Sequence, residues 1–152
     1  MKKAALHIAP PLWGLFFLLL AALANLVYPW RAVFDLRSTP LGALCIVVGT
    51  GVAVWARQLF VRHGTTIIPD HPVNTALVES GPYAWSRNPM YLSLILIALG
   101  VALLVGTPPF FLVPIALFLV VNFLFVAFEE EKMLRQFGET YTDYTRRVRR
   151  WL

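Results

Sequence analysis

Four long apolar runs constrain the fold of this chain more than any other feature. They are residues Leu12 to Tyr28, Leu41 to Val61, Tyr91 to Val105 and Phe110 to Phe128. A membrane-spanning helix needs about 20 mainly apolar residues, within a range of roughly 17–25. The runs therefore predict an all-α polytopic membrane protein with about four transmembrane helices, the third being the shortest. Composition agrees, because 59% of the 152 residues are hydrophobic and only 14% are charged.

The distribution of lysine and arginine predicts the orientation of these helices. Positively charged residues are in excess in the cytosolic loops of membrane proteins. If the N-terminus is cytosolic, only two of the 13 Lys and Arg residues, Arg31 and Arg37, lie outside. Both termini, the loop 62–89 and the tail after the fourth run are then expected in the cytosol.

The N-terminus has two interpretations. Lys2-Lys3, an apolar stretch and Ala22-Leu23-Ala24 resemble a secretory signal with its small-residue cleavage site. We favour a retained span, because removing it would leave three spans and move the C-terminus to the other side of the membrane. The second run carries small residues, and the spacing of Gly49 and Ala53 suits close helix contact. His63 and His71 have no partner at metal-ligand spacing, so no metal site is expected.

A polar cluster from Gly81 to Tyr91 precedes the third run. Asn88-Pro89 has the pattern of an N-cap followed by proline at the first helical position, so the third helix is predicted to begin at Pro89. The unpaired backbone N–H groups of its first turn would face the cytosol beside Arg87, which suits a carboxylate or phosphate. The alternative is that Asn88 only caps the helix and Arg87 only marks the membrane boundary.

Three consecutive acids, Glu129, Glu130 and Glu131, end the fourth run in a tail that is otherwise basic. Adjacent like charges are unfavourable unless they are solvated or paired. Their partners would be Arg87, the tail arginines or the hydroxyls of a ribose, and the alternative is a solvated helix end. Because the two polar clusters flank one apolar hairpin, we expect them to lie close together on the cytosolic side.

The tail is predicted to continue as a helix to Phe137 and to break at Gly138. Beyond the break, aromatic and apolar residues recur at spacings of three and four, at Tyr141, Tyr144, Val148 and Trp151. One interpretation is an interfacial segment with its aromatic side toward the lipid headgroups. The other is a lid that folds back over the two clusters.

Four motifs follow one another in the second half of the chain. They are Gly81-Pro82-Tyr83 leading to Arg87-Asn88-Pro89-Met90-Tyr91, then Glu130-Glu131-x-x-Leu134, Phe137-Gly138-x-x-Tyr141-x-x-Tyr144, and Val148-x-Arg150-Trp151-Leu152. In this order and spacing they resemble the isoprenylcysteine carboxyl methyltransferase and phospholipid methyltransferase superfamily, from about Gly64 to the end. Members are α-helical membrane enzymes that use S-adenosylmethionine, held near the cytosolic ends of the last helical hairpin and by the C-terminal tail.

The resemblance implies a set of site residues. Those that would bind the cofactor are Gly81, Pro82, Tyr83, Arg87, Asn88, Pro89, Tyr91, Glu130, Glu131 and Arg150, and the candidate catalytic residues are Arg87, Tyr91 and Glu130. Residues 1–152 would form one integral-membrane domain, with two spans in 1–62 and the cofactor-binding loop, hairpin and tail in 63–152.

The implied reaction is methyl transfer to a lipophilic acceptor at the cytosolic membrane face. The acceptor would be an isoprenylcysteine-type carboxylate, which needs no general base, or a lipid amine, which must first lose a proton to Glu130, Glu131 or Tyr91. The expected partners are this lipophilic substrate and the membrane lipids, with no nucleic acid.

Two departures from the family pattern bear on the substrate and the tail. Many carboxyl methyltransferases of the family carry His where this chain has Asn88. Near the end of the chain, the family usually has Val-Pro-Arg, where this chain has Val148-Arg149-Arg150.

The alternative function is a non-catalytic four-helix membrane protein that binds a partner or exports a small hydrophobic cation. A proton-coupled cation carrier is expected to have an acidic residue within a membrane span, and no acidic residue lies within any of the four apolar runs.

Overall fold

Helices are the only regular secondary structure in residues 8–28, 30–64 and 76–152, which are the residues that the computed structural model describes. The main helices are α1 (Pro10–Val27), α2 (Thr39–Arg62), α3 (Pro89–Val105), α4 (Pro108–Val120) and α5 (Ala127–Arg147). A π-helical turn, Val121–Val126, joins α4 to α5 without a break. The all-α prediction is confirmed. Lys2, Lys3 and His71 lie outside the described residues.

Among the described residues, three helical segments are long and apolar enough to cross a membrane. They are α1, α2 and the helical segment Pro108–Arg147, which comprises α4, the π-helical turn and α5, whereas α3 has 17 residues and is shorter. Proline lies in the first turn of α1, α2, α3 and α4. Its fixed φ suits helix entry, and its missing N–H removes a donor that would have no partner there. As predicted, α3 begins at Pro89 directly after Asn88.

Glycines allow α2 and α3 to pack closely along their length. A Cβ atom on Gly100 would lie 2.8 Å from the carbonyl oxygen of Gly42 and 2.6 Å from Cγ1 of Ile46. A Cβ atom on Gly49 would lie 2.9 Å from the carbonyl oxygen of Ser93. Only glycine fits such close backbone approaches, so the prediction that small residues serve helix contact in α2 is confirmed.

The helix formed by α4 and the π-helical turn supplies much of the core of the bundle. Both α1 and α3 pack against α4. The most buried side chains of this core are Ala102, Leu117, Val121, Phe125 and Val126. One side of the π-helical turn, with Val121, Phe125 and Val126, is therefore buried in the bundle, whereas Phe123 is exposed.

The two connections expected outside the cytosol lie together at one end of the bundle. The amides of Leu36 and Ser38 donate to the carbonyl oxygens of Gly106 and Leu103, each at 2.9 Å. Gly106, with φ +83°, makes the tight turn from α3 to α4. The opposite end brings together the start of α1, the end of α2, the start of α3 and the start of α5 around a cavity.

Candidate functional site

A cavity of about 490 Å³ opens at the end of the bundle where α1 and α3 begin. Small-molecule sites usually enclose about 300–1,000 Å³. The lining is mainly apolar, and its polar side chains come from the segment before α3, from α3 and from α5. The main ones are Arg87, Asn88, Tyr91, Glu129, Glu130, Lys132, Tyr141 and Tyr144. The two polar clusters therefore share one cavity, as the sequence predicted.

One carboxylate at this cavity is held by two arginines. Nη1 of Arg87 lies 3.0 Å from Oε1 of Glu130, and both side chains are largely buried. Nε of Arg150 donates to the same oxygen at 3.0 Å, and its Nη2 pairs with the other oxygen. Paired guanidinium and carboxylate groups with fixed hydrogen bonds have well-defined geometry. The three groups carry one excess positive charge, which favours a ligand that brings a carboxylate.

Arg87 also has an unused donor. Its Nη1 donates to the hydroxyl of Tyr141 at 3.4 Å. Among the described residues, however, no atom accepts a hydrogen bond from its buried Nε. A buried donor without a partner is costly, and such donors are uncommon in folded proteins. The Nε atom itself has almost no accessible surface, so a ligand in the cavity would contact the part of the Arg87 side chain that remains exposed, 14% of it.

A second polar pair belongs to the same cavity. The hydroxyl of Tyr91 donates to Oε1 of Glu129 at 2.5 Å, which is in the short range of O–H bonds to a carboxylate. Both residues line the cavity. The second oxygen of Glu129 and the lone pairs of the Tyr91 hydroxyl offer acceptors to a ligand amine or hydroxyl.

Tyr83 forms a wall of the cavity near the end of α2. Its ring packs against Phe60, with ring centres 5.3 Å apart. Burial raises the pKa of Tyr83, so its hydroxyl stays protonated at neutral pH and can donate. Its carbonyl oxygen accepts a hydrogen bond of 2.7 Å from the hydroxyl of Tyr144, which ties this segment to α5.

The last five residues, Val148–Leu152, form a C-terminal strap against the start of α3. The amide of Arg87 donates to the carbonyl oxygen of Arg149 at 3.0 Å, and Nδ2 of Asn88 donates to that of Arg150 at 2.9 Å. The Ser86 hydroxyl donates to the same Arg150 oxygen at 3.3 Å. Asn88, which the sequence suggested as a helix cap, makes no side-chain hydrogen bond to the first turn of α3 and holds the strap instead.

The tail before the strap turns its aromatic face inward. α5 is interrupted at Gly138, with φ +52°, so the prediction that the helix breaks there is confirmed. Tyr141, Tyr144 and Val148 are buried against Leu77, Met133 and Phe137. The interpretation in which Tyr141 and Tyr144 face lipid headgroups is therefore wrong, and the structure agrees with the lid that folds back.

Most residues that the resemblance implied for the site line the cavity, namely Tyr83, Arg87, Asn88, Pro89, Tyr91 and Glu130. Arg150 reaches it through Glu130. Gly81 and Pro82 are not part of the lining. Glu131 lies on the surface, where its side chain is 61% exposed and pairs with Arg135 at 2.5 Å.

Sequence reasoning gave no separate role to Glu129 and did not single out Asn122. In the sequence, Glu129 is one of three adjacent acids, and their spacing does not show which of them face the cavity. Asn122 had a usable signal, because it is the sole polar side chain between Pro108 and Phe128. Its Oδ1 accepts a hydrogen bond of 3.1 Å from the indole of Trp151.

Comparison with known proteins places this geometry in a family. The phospholipid methyltransferase family matches residues 38–140, from the start of α2 into α5. The chain belongs to the phospholipid methyltransferase family. The match includes Arg87, Tyr91, Glu129 and Glu130 and ends before the strap. The resemblance to membrane methyltransferases is thereby confirmed at the level of the family, and the apolar helices fit an integral membrane protein.

One relative of this phospholipid methyltransferase family member is an uncharacterized protein of Haemophilus influenzae. The two are 43% identical over 63 residues, which cover 41% of this chain and all of the relative. No solved structure matches the chain.

Proposed function

We propose that the protein transfers the methyl group of S-adenosylmethionine to a lipophilic acceptor at the cytosolic face of the membrane. The observation that carries the proposal is the cavity in which Glu130, held by Arg87 and Arg150, lies near the Tyr91–Glu129 pair. Family membership supports methyl transfer as the reaction. Several charged groups at one end of a mostly apolar space suit a polar cofactor beside a lipophilic acceptor.

The residues around the cavity fit this cofactor. Arg87 would bind the cofactor carboxylate, since the cluster around Glu130 has one excess positive charge. Glu129 and Glu130 would accept hydrogen bonds from its amino group or ribose hydroxyls. When bound, S-adenosylmethionine supplies an electrophilic methyl group. The protein would hold the two reactants in line and exclude water from between them, a reaction that by itself demands no metal.

The apolar part of the cavity would hold the acceptor. Met90, Leu94 and Ile97 line it along α3, and Pro10 and Pro11 line it at the start of α1. These surfaces suit an isoprenylcysteine-type carboxylate or a lipid amine that enters between the helices. A carboxylate acceptor needs no base, whereas for an amine the Tyr91–Glu129 pair is placed to take the proton.

The proposal also includes the topology. Four spans, formed by α1, α2, α3 and α4 with the π-helical turn, would place the cavity, both termini and the tail in the cytosol. α3 is short, but 17 residues lies at the lower limit for a span. The grouping of Leu36 and Ser38 with the α3–α4 turn at the opposite end supports this arrangement.

The proposal is tested by calorimetric titration of S-adenosylhomocysteine into the detergent-purified protein. We expect saturable binding that Glu130→Gln weakens about tenfold or more, because the largely buried Arg87 loses its carboxylate partner and the ligand loses a charged acceptor. Glu139→Gln is the matched control, since Glu139 is exposed on the other side of the Gly138 break.

Glu131→Gln separates the sequence-based prediction from the placement in the structure. Because Glu131 is exposed and paired with Arg135, we expect the Glu131→Gln protein to bind S-adenosylhomocysteine as tightly as the Glu139→Gln control does. A loss with Glu131→Gln and none with Glu130→Gln would reverse the roles of the two acids. No binding to the folded wild-type protein would instead favour a non-catalytic membrane protein.

A further inference from the structure

Asn122 is an unusual residue for its position. It is the sole polar side chain between Pro108 and Phe128, in a helix that is otherwise apolar enough to cross a membrane. Polar side chains in such segments are expensive to bury, so they usually have a functional partner. Asn122 also lies in the π-helical turn Val121–Val126, and such turns are frequent at functional sites.

The partner of Asn122 is the strap. Oδ1 of Asn122 accepts a hydrogen bond from Nε1 of Trp151 at 3.1 Å. The Trp151 ring packs against Phe118, with ring centres 5.0 Å apart. Phe118 and Asn122 are four residues apart, so they form neighbouring contacts for one indole. The indole thus has an apolar contact for its ring and an acceptor for its N–H.

The residue before Trp151, Arg150, contacts a side chain that lines the cavity. The Arg150 side chain pairs with Glu130, and its carbonyl oxygen accepts hydrogen bonds from Asn88 and Ser86. The Arg150 side chain is 40% exposed, so Glu130 alone holds it weakly against solvent. An anchored neighbour restricts the backbone and favours the paired position of Arg150.

We infer that Asn122 is a positioning residue. By binding the Trp151 indole, it docks the C-terminal strap and so keeps the Arg150 guanidinium on Glu130. Asn122 does not line the cavity, so it acts on a ligand only through the strap. The effect on cofactor binding rests on the proposed function, whereas the docking of the strap does not.

The first experiment measures docking without any ligand. Trypsin cuts after arginine, and we expect the bond between Arg150 and Trp151 to be protected while the Arg150 carbonyl oxygen and the Trp151 indole hold their hydrogen bonds. Cleavage of a segment that opens transiently follows the population of its open form. We expect Asn122→Leu to speed this cleavage about three- to tenfold, the usual effect of one lost hydrogen bond, as followed by intact-protein mass spectrometry.

Two further variants identify the hydrogen bond as the cause. Trp151→Phe keeps a ring beside Phe118 but removes the N–H, so it should match Asn122→Leu. The double variant should be no worse than either single variant, because both remove the same interaction. Asn25→Leu is the control, since it removes an amide from α1 near the end of the bundle opposite the cavity.

The second experiment repeats the titration with S-adenosylhomocysteine. Asn122→Leu and Trp151→Phe should weaken binding about three- to tenfold without additivity, and they should leave the thermal unfolding midpoint near that of Asn25→Leu. Faster cleavage with unchanged affinity would overturn the positioning role. Unchanged cleavage would overturn docking by Asn122. If the wild-type protein binds no S-adenosylhomocysteine, the proposed function fails, and cleavage alone decides whether Asn122 docks the strap.

Discussion

At the scale of the residue, Arg87 makes the contacts that join the two polar clusters. One nitrogen contacts both Glu130 and the Tyr141 hydroxyl, and its backbone amide holds the strap. A lysine keeps the charge but has one ammonium on a flexible chain instead of a planar fork. We expect Arg87→Ala to weaken S-adenosylhomocysteine binding about 10- to 100-fold and Arg87→Lys to recover only part of the loss, as measured by calorimetry.

The control for this prediction is another arginine in an ion pair. Arg147 pairs with Glu79 at 2.7 Å, but its side chain is 65% exposed. Exposed ion pairs contribute about 0–1 kcal/mol, so Arg147→Ala should bind almost as the wild type does. Normal binding by a folded Arg87→Ala protein would leave Arg87 with a role in the strap contact only.

At the scale of the element, the contact between α2 and α3 predicts opposite results for two glycines. A Cβ atom on Gly100 meets Ile46 at 2.6 Å and a backbone oxygen at 2.8 Å, whereas one on Gly51 meets no described atom within 4 Å. Gly100→Ala should cost about 1–3 kcal/mol by overpacking. Gly51→Ala should be neutral or stabilising by up to about 1 kcal/mol, because alanine favours helix.

Thermal unfolding in one detergent compares the two variants directly. The midpoint of Gly100→Ala should fall below that of the wild type, and the midpoint of Gly51→Ala should equal or exceed it. Equal midpoints for both variants would contradict the close approach of α2 to α3. The outcome concerns only the fold, since neither glycine lines the cavity.

The same scale shows what the sequence could predict. The apolar runs predicted the helices, Asn88-Pro89 predicted the start of α3, and Gly138 predicted the break in α5, because each of these features depends on local chain geometry. Which of the three adjacent acids face the cavity was not predictable. The π-helical turn adds about one residue to the helix, which rotates everything after it by roughly 100°. Counting at 3.6 residues per turn therefore does not show that Glu129 and Glu130 line the cavity and Glu131 does not.

The strap was beyond sequence reasoning for another reason. Its contacts join residues far apart in the chain, such as Asn88 with Arg150 and Asn122 with Trp151. Such pairs depend on how the helices pack, and no local pattern encodes them. Only the general expectation of a lid was available, and it left open whether the aromatic residues faced lipid or protein.

At the scale of the whole molecule, the two ends of the bundle differ in charge. The cavity and the tail arginines lie at one end, and the connection that holds Arg31 and Arg37 lies at the other. An excess of lysine and arginine marks the cytosolic side, so the end with the cavity is expected in the cytosol.

Single-cysteine labelling with an impermeant maleimide, in a Cys45→Ala background, tests this orientation. In right-side-out vesicles, Leu36→Cys should react at once, and Glu139→Cys only after permeabilisation, because both side chains are exposed at opposite ends. The reverse pattern would place the cavity outside, away from a cytosolic methyl donor. Equal labelling of both sites before permeabilisation would mean that the two ends share one side and would contradict the four-span arrangement.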